Sequence, residues 1–169
     1  AFAIFFTGRF LGLGVSGVYG ALLDTRSGEF LDDRDLVVPV FGRADHTSGR
    51  LNERYDRNVL ARADERSPYD LMVRTSKLRF AFTMAPTRDP VSTGRVAVGP
   101  GRTQQGYVVP HAKVAGVLRT VDGREVEVTG GGIFQHLWGA TPDESAAQDI
   151  MAIHLDQGTD LFTIAGPTA

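Results

Sequence analysis

The sequence predicts an all-β fold, an antiparallel meander with tight hairpins and little helix, closed or nearly closed into a barrel. Three observations predict it. Glycine supplies 20 of the 169 residues, about 12% against a usual share of about 7%, with no collagen-like period, which suits turns, bulges and strand bends. Short alternating or apolar runs recur along the chain, each bounded by Gly, Pro, Asp or Asn. Two of the boundaries are hairpin turns, Asp122-Gly123 and Asp156-Gln157-Gly158.

The elements follow in order. Val15 to Leu23 reads as a strand that ends in the turn Asp24-Thr25-Arg26-Ser27-Gly28. Leu36 to Phe41 is an apolar run stopped by Gly42. Leu51 to Glu65 has too few apolar positions for a helix and reads as a polar connection. Leu78 to Met84 alternates L-R-F-A-F-T-M and stops at Pro86. Tyr107 to Thr120 is a long strand with Val114, Gly116 and Leu118 on one face, turning at Asp122-Gly123 into Glu125 to Val128. Thr141 to Ser145 offers an N-cap and a proline for one helical turn. Ile150 to Leu155 and Leu161 to Ile164 flank the last hairpin. No repeat, linker or low-complexity stretch divides the chain, and its length suits one domain spanning 1–169.

Composition removes several function classes. The formal net charge is -2 with both signs mixed along the chain, so nothing resembles the basic stripe of a nucleic-acid binder. The absence of cysteine removes disulfides, thiolate nucleophiles and cysteine-held zinc or iron–sulfur centres. No apolar run reaches the ~18–20 residues that cross a bilayer as a helix. Ala1 to Phe6 is apolar but has neither a basic leader nor a cleavage pattern, and a cytoplasmic location is expected. The chain opens on Ala1 and not Met, so a removed leading segment or a fragment is expected.

Gly12-Leu13-Gly14-Val15-Ser16-Gly17 matches the dinucleotide fingerprint, yet the residues after it are too few and too broken by glycine for the required helix. A turn feeding a strand is the better reading. His46, His111, His136 and His154 show no metal-ligand spacing, and no metal is expected. Asp32-Asp33-Arg34-Asp35 lacks the glycine and terminal Glu of a calcium loop and reads as a solvated turn. The nucleophile elbow and the phosphate-binding loop are both absent.

The most informative stretch is Gly130 to Ile164. His136 and Trp138 stand two apart on a strand and so share a face. If that face is a lumen, Trp138, the sole tryptophan, offers a π surface to a polyene or a cation. The plainer reading is that Trp138 plugs the barrel and His136 bonds locally.

The motifs Gly116-Val117-Leu118, Val121-Asp122-Gly123 and His136-Leu137-Trp138-Gly139 resemble the lipocalin-like family of carotenoid 1,2-hydratases and AttH proteins, which includes decalin-forming cyclases. Ile153 to Phe162 looks like that family's strand–turn–strand hairpin, and Phe5-Phe6 with Tyr19 to Asp24 are similar to its opening strands. The resemblance implies a lipocalin-like β-barrel, equivalent to the first of the usual two. Its partners would be a hydrophobic small molecule, with a homodimer or a second barrel beside it.

The sequence departs from the family where Ile133 replaces an aromatic, Gln135 an acid, and Gln148-Asp149-Ile150-Met151 a tryptophan-rich strand. Hydration of an alkene needs an acid that protonates carbon, and Gln135 cannot supply one. A [4+2]-type cyclisation needs only a chain held in its reactive fold and a hydrogen bond to a conjugated carbonyl. The expected activity is therefore a cofactor-independent cyclase acting on a polyketide or isoprenoid polyene, with hydration or simple carriage as alternatives. The residues expected to carry it are Gln135, His136 and Asp149 in catalysis, and Trp138, Tyr107, Phe134 and Met151 against the substrate.

Overall fold

The computed structural model describes residues 1–10, 13–37, 42–45, 50–119, 123–140, 149–154 and 160–165. No helix occurs among them, and so none that is long and apolar enough to cross a membrane. The strands are β1 (Phe2–Phe10), β2 (Leu13–Leu23), β3 (Phe30–Val37), β4 (Gly42–Asp45), β5 (Leu51–Tyr55), β6 (Asn58–Arg62) and β7 (Tyr69–Arg74). Beyond them come β8 (Arg79–Pro86), β9 (Val91–Gly99), β10 (Arg102–Arg119), β11 (Glu125–Gly139), β12 (Asp149–His154) and β13 (Asp160–Ala165).

Three sheets result: β1-β2-β3; β11-β10-β8-β7-β6-β5-β4, with β9 also paired to β10; and the β12-β13 ladder. Nearly every neighbour in space is a neighbour in sequence, as in a meander. Two compact units divide the chain. One comprises Ala1–Ala85 and Val114–Gly130, the other Pro86–Lys113 and Gly131–Ala169.

In the first unit the apolar alternation becomes a core. Val18 of β2, Val73 of β7, Phe80 and Phe82 of β8, and Leu118 of β10 are buried together. Ala3, Phe5, Leu22, Leu71, Val114 and Val128 pack against them. The Phe80 and Phe82 rings stack with centroids 4.9 Å apart. Each such aromatic contributes about 1.5–3 kcal/mol through burial. Two glycines make room. A side chain at Gly20 would crowd Leu78 and Val73, and one at Gly116 would overlap the carbonyl of Ala81 and the Cα of Phe82.

Two expectations are corrected here. Asp32 to Asp35 is not a solvated turn but the middle of β3, and Leu36, expected to open a strand, lies one residue from the end of this one. Its inward carboxylates are met by specific donors. Asp33 accepts hydrogen bonds from the Ser76 hydroxyl at 2.7 Å, the Lys77 amide at 2.9 Å and the Arg34 amide at 3.0 Å. Asp35 accepts one from the Asn58 side chain at 3.1 Å.

Leu51 to Glu65 is likewise not a connection. It forms the hairpin β5–β6, turning at Asp56-Arg57, with Asp56 in the left-handed region that Asp tolerates (φ 53°). Beside Leu51, Tyr55 and Leu60, its inner positions carry the polar Glu53, Asn58 and Arg62, each of them hydrogen-bonded. The buried Tyr55 hydroxyl donates to the buried Glu53 carboxylate at 2.9 Å. Desolvation, reinforced by the Glu53 charge, pushes the phenol above its usual range. The buried Arg62 donates at 2.6 Å to both the Tyr69 hydroxyl and the Asp64 carbonyl.

Asp33 also links fold to pH. Burial opposes its charge, but the hydrogen bonds from Ser76 and the Lys77 amide outweigh burial and hold the carboxyl at about 2. Its folded value lies below the unfolded one, so its contribution is complete above the ordinary carboxylate range near ~3.9 and is lost as pH falls from there towards 2. Asp33→Asn is expected to flatten that part of the stability curve in urea melts between neutral and acidic pH. An unchanged acid slope would disprove the assignment.

Candidate functional site

The second unit carries the residues that the sequence singles out. Its local frame is the pairing of β10 with β11, and glycines set how close the two strands come. A side chain at Gly106 would overlap the His136 carbonyl and lie 2.6 Å from Leu137 Cδ2. Gly139 ends β11 with φ +122°, and a side chain there would lie 2.7 Å from the Thr103 carbonyl. That same carbonyl accepts the Ala140 amide at 3.1 Å. Only residues without a side chain allow this approach, and it brings Tyr107 against β11.

Period-two alternation along β11 puts Phe134, His136 and Trp138 on one face, and Tyr107 of β10 faces all three. The Tyr107 ring centroid lies 6.0 Å from Phe134, 5.6 Å from His136 and 6.3 Å from Trp138. His136 and Trp138 are 5.2 Å apart. The contacts with His136 and Trp138 are edge-on, the geometry that ring quadrupoles favour. Exposure rises along the row: Phe134 is buried, Tyr107 and His136 are half-buried, and Trp138 is 45% exposed. Trp138 is therefore no plug. The row is a π-rich ramp running from the protein interior to solvent.

Gln135 does not belong to that row. Alternation sends it to the opposite face of β11, with Ile133 and Leu137. Its Nε2 is buried and has no hydrogen-bond partner among the described residues. Asp149 and Met151 lie on β12, paired with Ala165 and Thr163 of β13, and their side chains are outside the described residues. Of the seven residues expected in the site, the structure gathers four: Tyr107, Phe134, His136 and Trp138.

A second histidine has a defined role nearby in sequence. Thr87 lies 2.6 Å from His111 Nδ1 through its hydroxyl, and its amide donates to the His111 carbonyl at 3.0 Å. This pair fastens the start of the second unit to β10. His46 is outside the described residues. No group of three His, Asp or Glu side chains suited to a metal occurs among the described residues.

The sequence reading missed the buried polar groups of the first unit, Glu53, Asn58, Arg62 and Thr75. The available signal was the alternation of Leu51, Glu53 and Tyr55, obscured by the charge at its centre.

No protein-family model matches the chain, and no curated protein matches it by sequence. Among solved structures, it is similar to a Nitrosomonas europaea protein provisionally named AttH, with a TM-score of 0.77 at 22% identity over 97% of this chain. The similarity covers 53% of that protein, so the chain spans about half its length. At this identity the likeness speaks for the fold, which is antiparallel and lipocalin-like.

Proposed function

We propose that the chain binds an elongated hydrophobic polyene along the Tyr107–Phe134–His136–Trp138 row and promotes its cyclisation by holding it in a reactive fold. The observation that carries the reading is the row itself, four rings on one sheet face, with the Tyr107 centroid 5.6 to 6.3 Å from the other three and His136 5.2 Å from Trp138. Such a row offers ring faces and ring edges in turn to a conjugated chain along its length. Fixing a flexible chain in a near-attack shape removes up to ~7–11 kcal/mol of barrier in favourable cases. Tyr107 and His136 both carry groups that donate a hydrogen bond to a conjugated carbonyl, which lowers the energy of the cyclising state.

Among the described residues the row carries no carboxyl group, which favours preorganisation over alkene hydration. The hydration alternative rests on Asp149 or a histidine such as His136 as its acid. The exposure of Trp138 favours a second reading, reversible carriage, because a ligand on an open ramp exchanges readily.

The sole tryptophan makes the test direct. Titration with a conjugated tetraene fatty acid is expected to quench Trp138 fluorescence saturably. Tyr107→Ala is expected to weaken binding about tenfold, equivalent to ~1.4 kcal/mol. Unsaturable quenching, or full affinity in the Tyr107 variant, would sink the reading. Turnover of a linear diene–dienophile substrate to a cyclic isomer then separates catalysis from carriage.

A further inference from the structure

The β1-β2-β3 sheet of the first unit has two sharply different faces. Its registers align Ile4 with Tyr19, Phe6 with Gly17, Tyr19 with Arg34, Gly17 with Leu36, and Leu23 with Phe30. One face, with Ala3, Phe5, Val18 and Leu22, packs into the core. The other carries Ile4, Phe6, Leu23, Phe30 and Leu36, which are 37% to 59% exposed. These five are not scattered. Phe6 and Leu36 both close over Gly17, where a Cβ would lie 2.6 Å from the Phe6 ring and 3.1 Å from Leu36 Cδ2. Leu23 and Phe30 are direct cross-strand partners at the other end.

Single exposed apolar residues need no account, but five gathered on one sheet face do. The charge pattern says what covers them. The outward positions of β3 read Phe30, Asp32, Arg34, Leu36: apolar, acid, base, apolar. Turned end for end, that pattern places acid on base and apolar on apolar. Tyr19 holds the acid in place, donating to Asp32 at 3.2 Å. A surface complementary to its own reversal is what a two-fold axis requires, since each contact must recur with the partners exchanged.

We propose that this outer face is an interface for a second copy of the chain. The copies meet about a two-fold axis through the middle of the face, with Phe30 against Leu36 of the partner copy and Asp32 against its Arg34. The inference goes beyond the ligand reading and does not rest on it. The formal charge of -2 per chain adds little repulsion between copies.

Sedimentation velocity without ligand tests it, over about 1 to about 200 µM chain. The expected result is a concentration-dependent rise from 18.3 kDa towards twice that mass. Leu36→Asp is expected to weaken association at least about tenfold, while Val126→Asp, at an exposed apolar position outside this sheet, leaves it unchanged. Asp32→Arg and Arg34→Asp should each weaken the dimer, and the two together should restore it. Melting temperature separates a lost interface from a lost fold. A monomer across the whole range, a dimer indifferent to Leu36→Asp, or a double swap without rescue would each overturn the proposal.

Discussion

Gly116→Ala is expected to cost about 3 kcal/mol or more, a large share of the ~5–15 kcal/mol that stabilises a domain. The added methyl would overlap the Ala81 carbonyl and lie 2.8 Å from Phe82 Cα and 2.9 Å from its ring. Two of those three obstacles are backbone, so no change of rotamer relieves them. Relief requires β10 to move away from β8, and that strains the contacts joining Phe80, Phe82 and Leu118. Gly130→Ala is the control, because nothing lies within 4 Å of the position where its Cβ would stand. It is expected to change stability by no more than about 0.5 kcal/mol. Urea unfolding of both variants provides the check. Equal midpoints would mean that β8 and β10 are not packed as described.

The same positions explain what the sequence made legible. Strands whose inner residues are apolar could be read directly, as with Leu78 to Met84 and with Val114 to Leu118. Their alternation records burial, and burial is what holds them. β3 and β5–β6 were opaque because their inner positions carry Asp33, Asp35, Glu53, Asn58 and Arg62. Most of these are satisfied by a partner distant in sequence or across a turn, such as Ser76 for Asp33 or Tyr69 for Arg62, and Glu53 by Tyr55 on its own strand. A strand stabilised by such pairs looks like a loop until the partners are known. The strand read over Glu125 to Val128 is longer than its alternation shows, since β11 runs on through the three glycines at 130–132 to Gly139.

The site was half legible for a related reason. Spacing alone aligns Phe134, His136 and Trp138, because a strand repeats every two residues. Spacing also separates Gln135 from them, but the family resemblance grouped it with His136 by motif. The approach of Tyr107 depends on the bare backbone at Gly106, whose partner on β11 is a matter of register and not of composition.

That separation makes Gln135 the sharpest test of the row. Gln135→Met is expected to raise stability by about 1–3 kcal/mol, the usual cost of a buried donor left without an acceptor, as this one is among the described residues, while filling nearly the same volume. Polyene affinity, read from Trp138 fluorescence, is expected to stay constant, since residue 135 faces away from the rings. The opposite result is equally informative. A variant that loses stability, together with cyclisation rate or affinity, would mean that the amide donates to the ligand. Gln135 would then return to the catalytic role that its place in the motif suggests, and binding would have to use the other face of β11. The two outcomes differ in sign on stability and in presence or absence on binding, so one protein preparation decides which face of the strand receives the ligand.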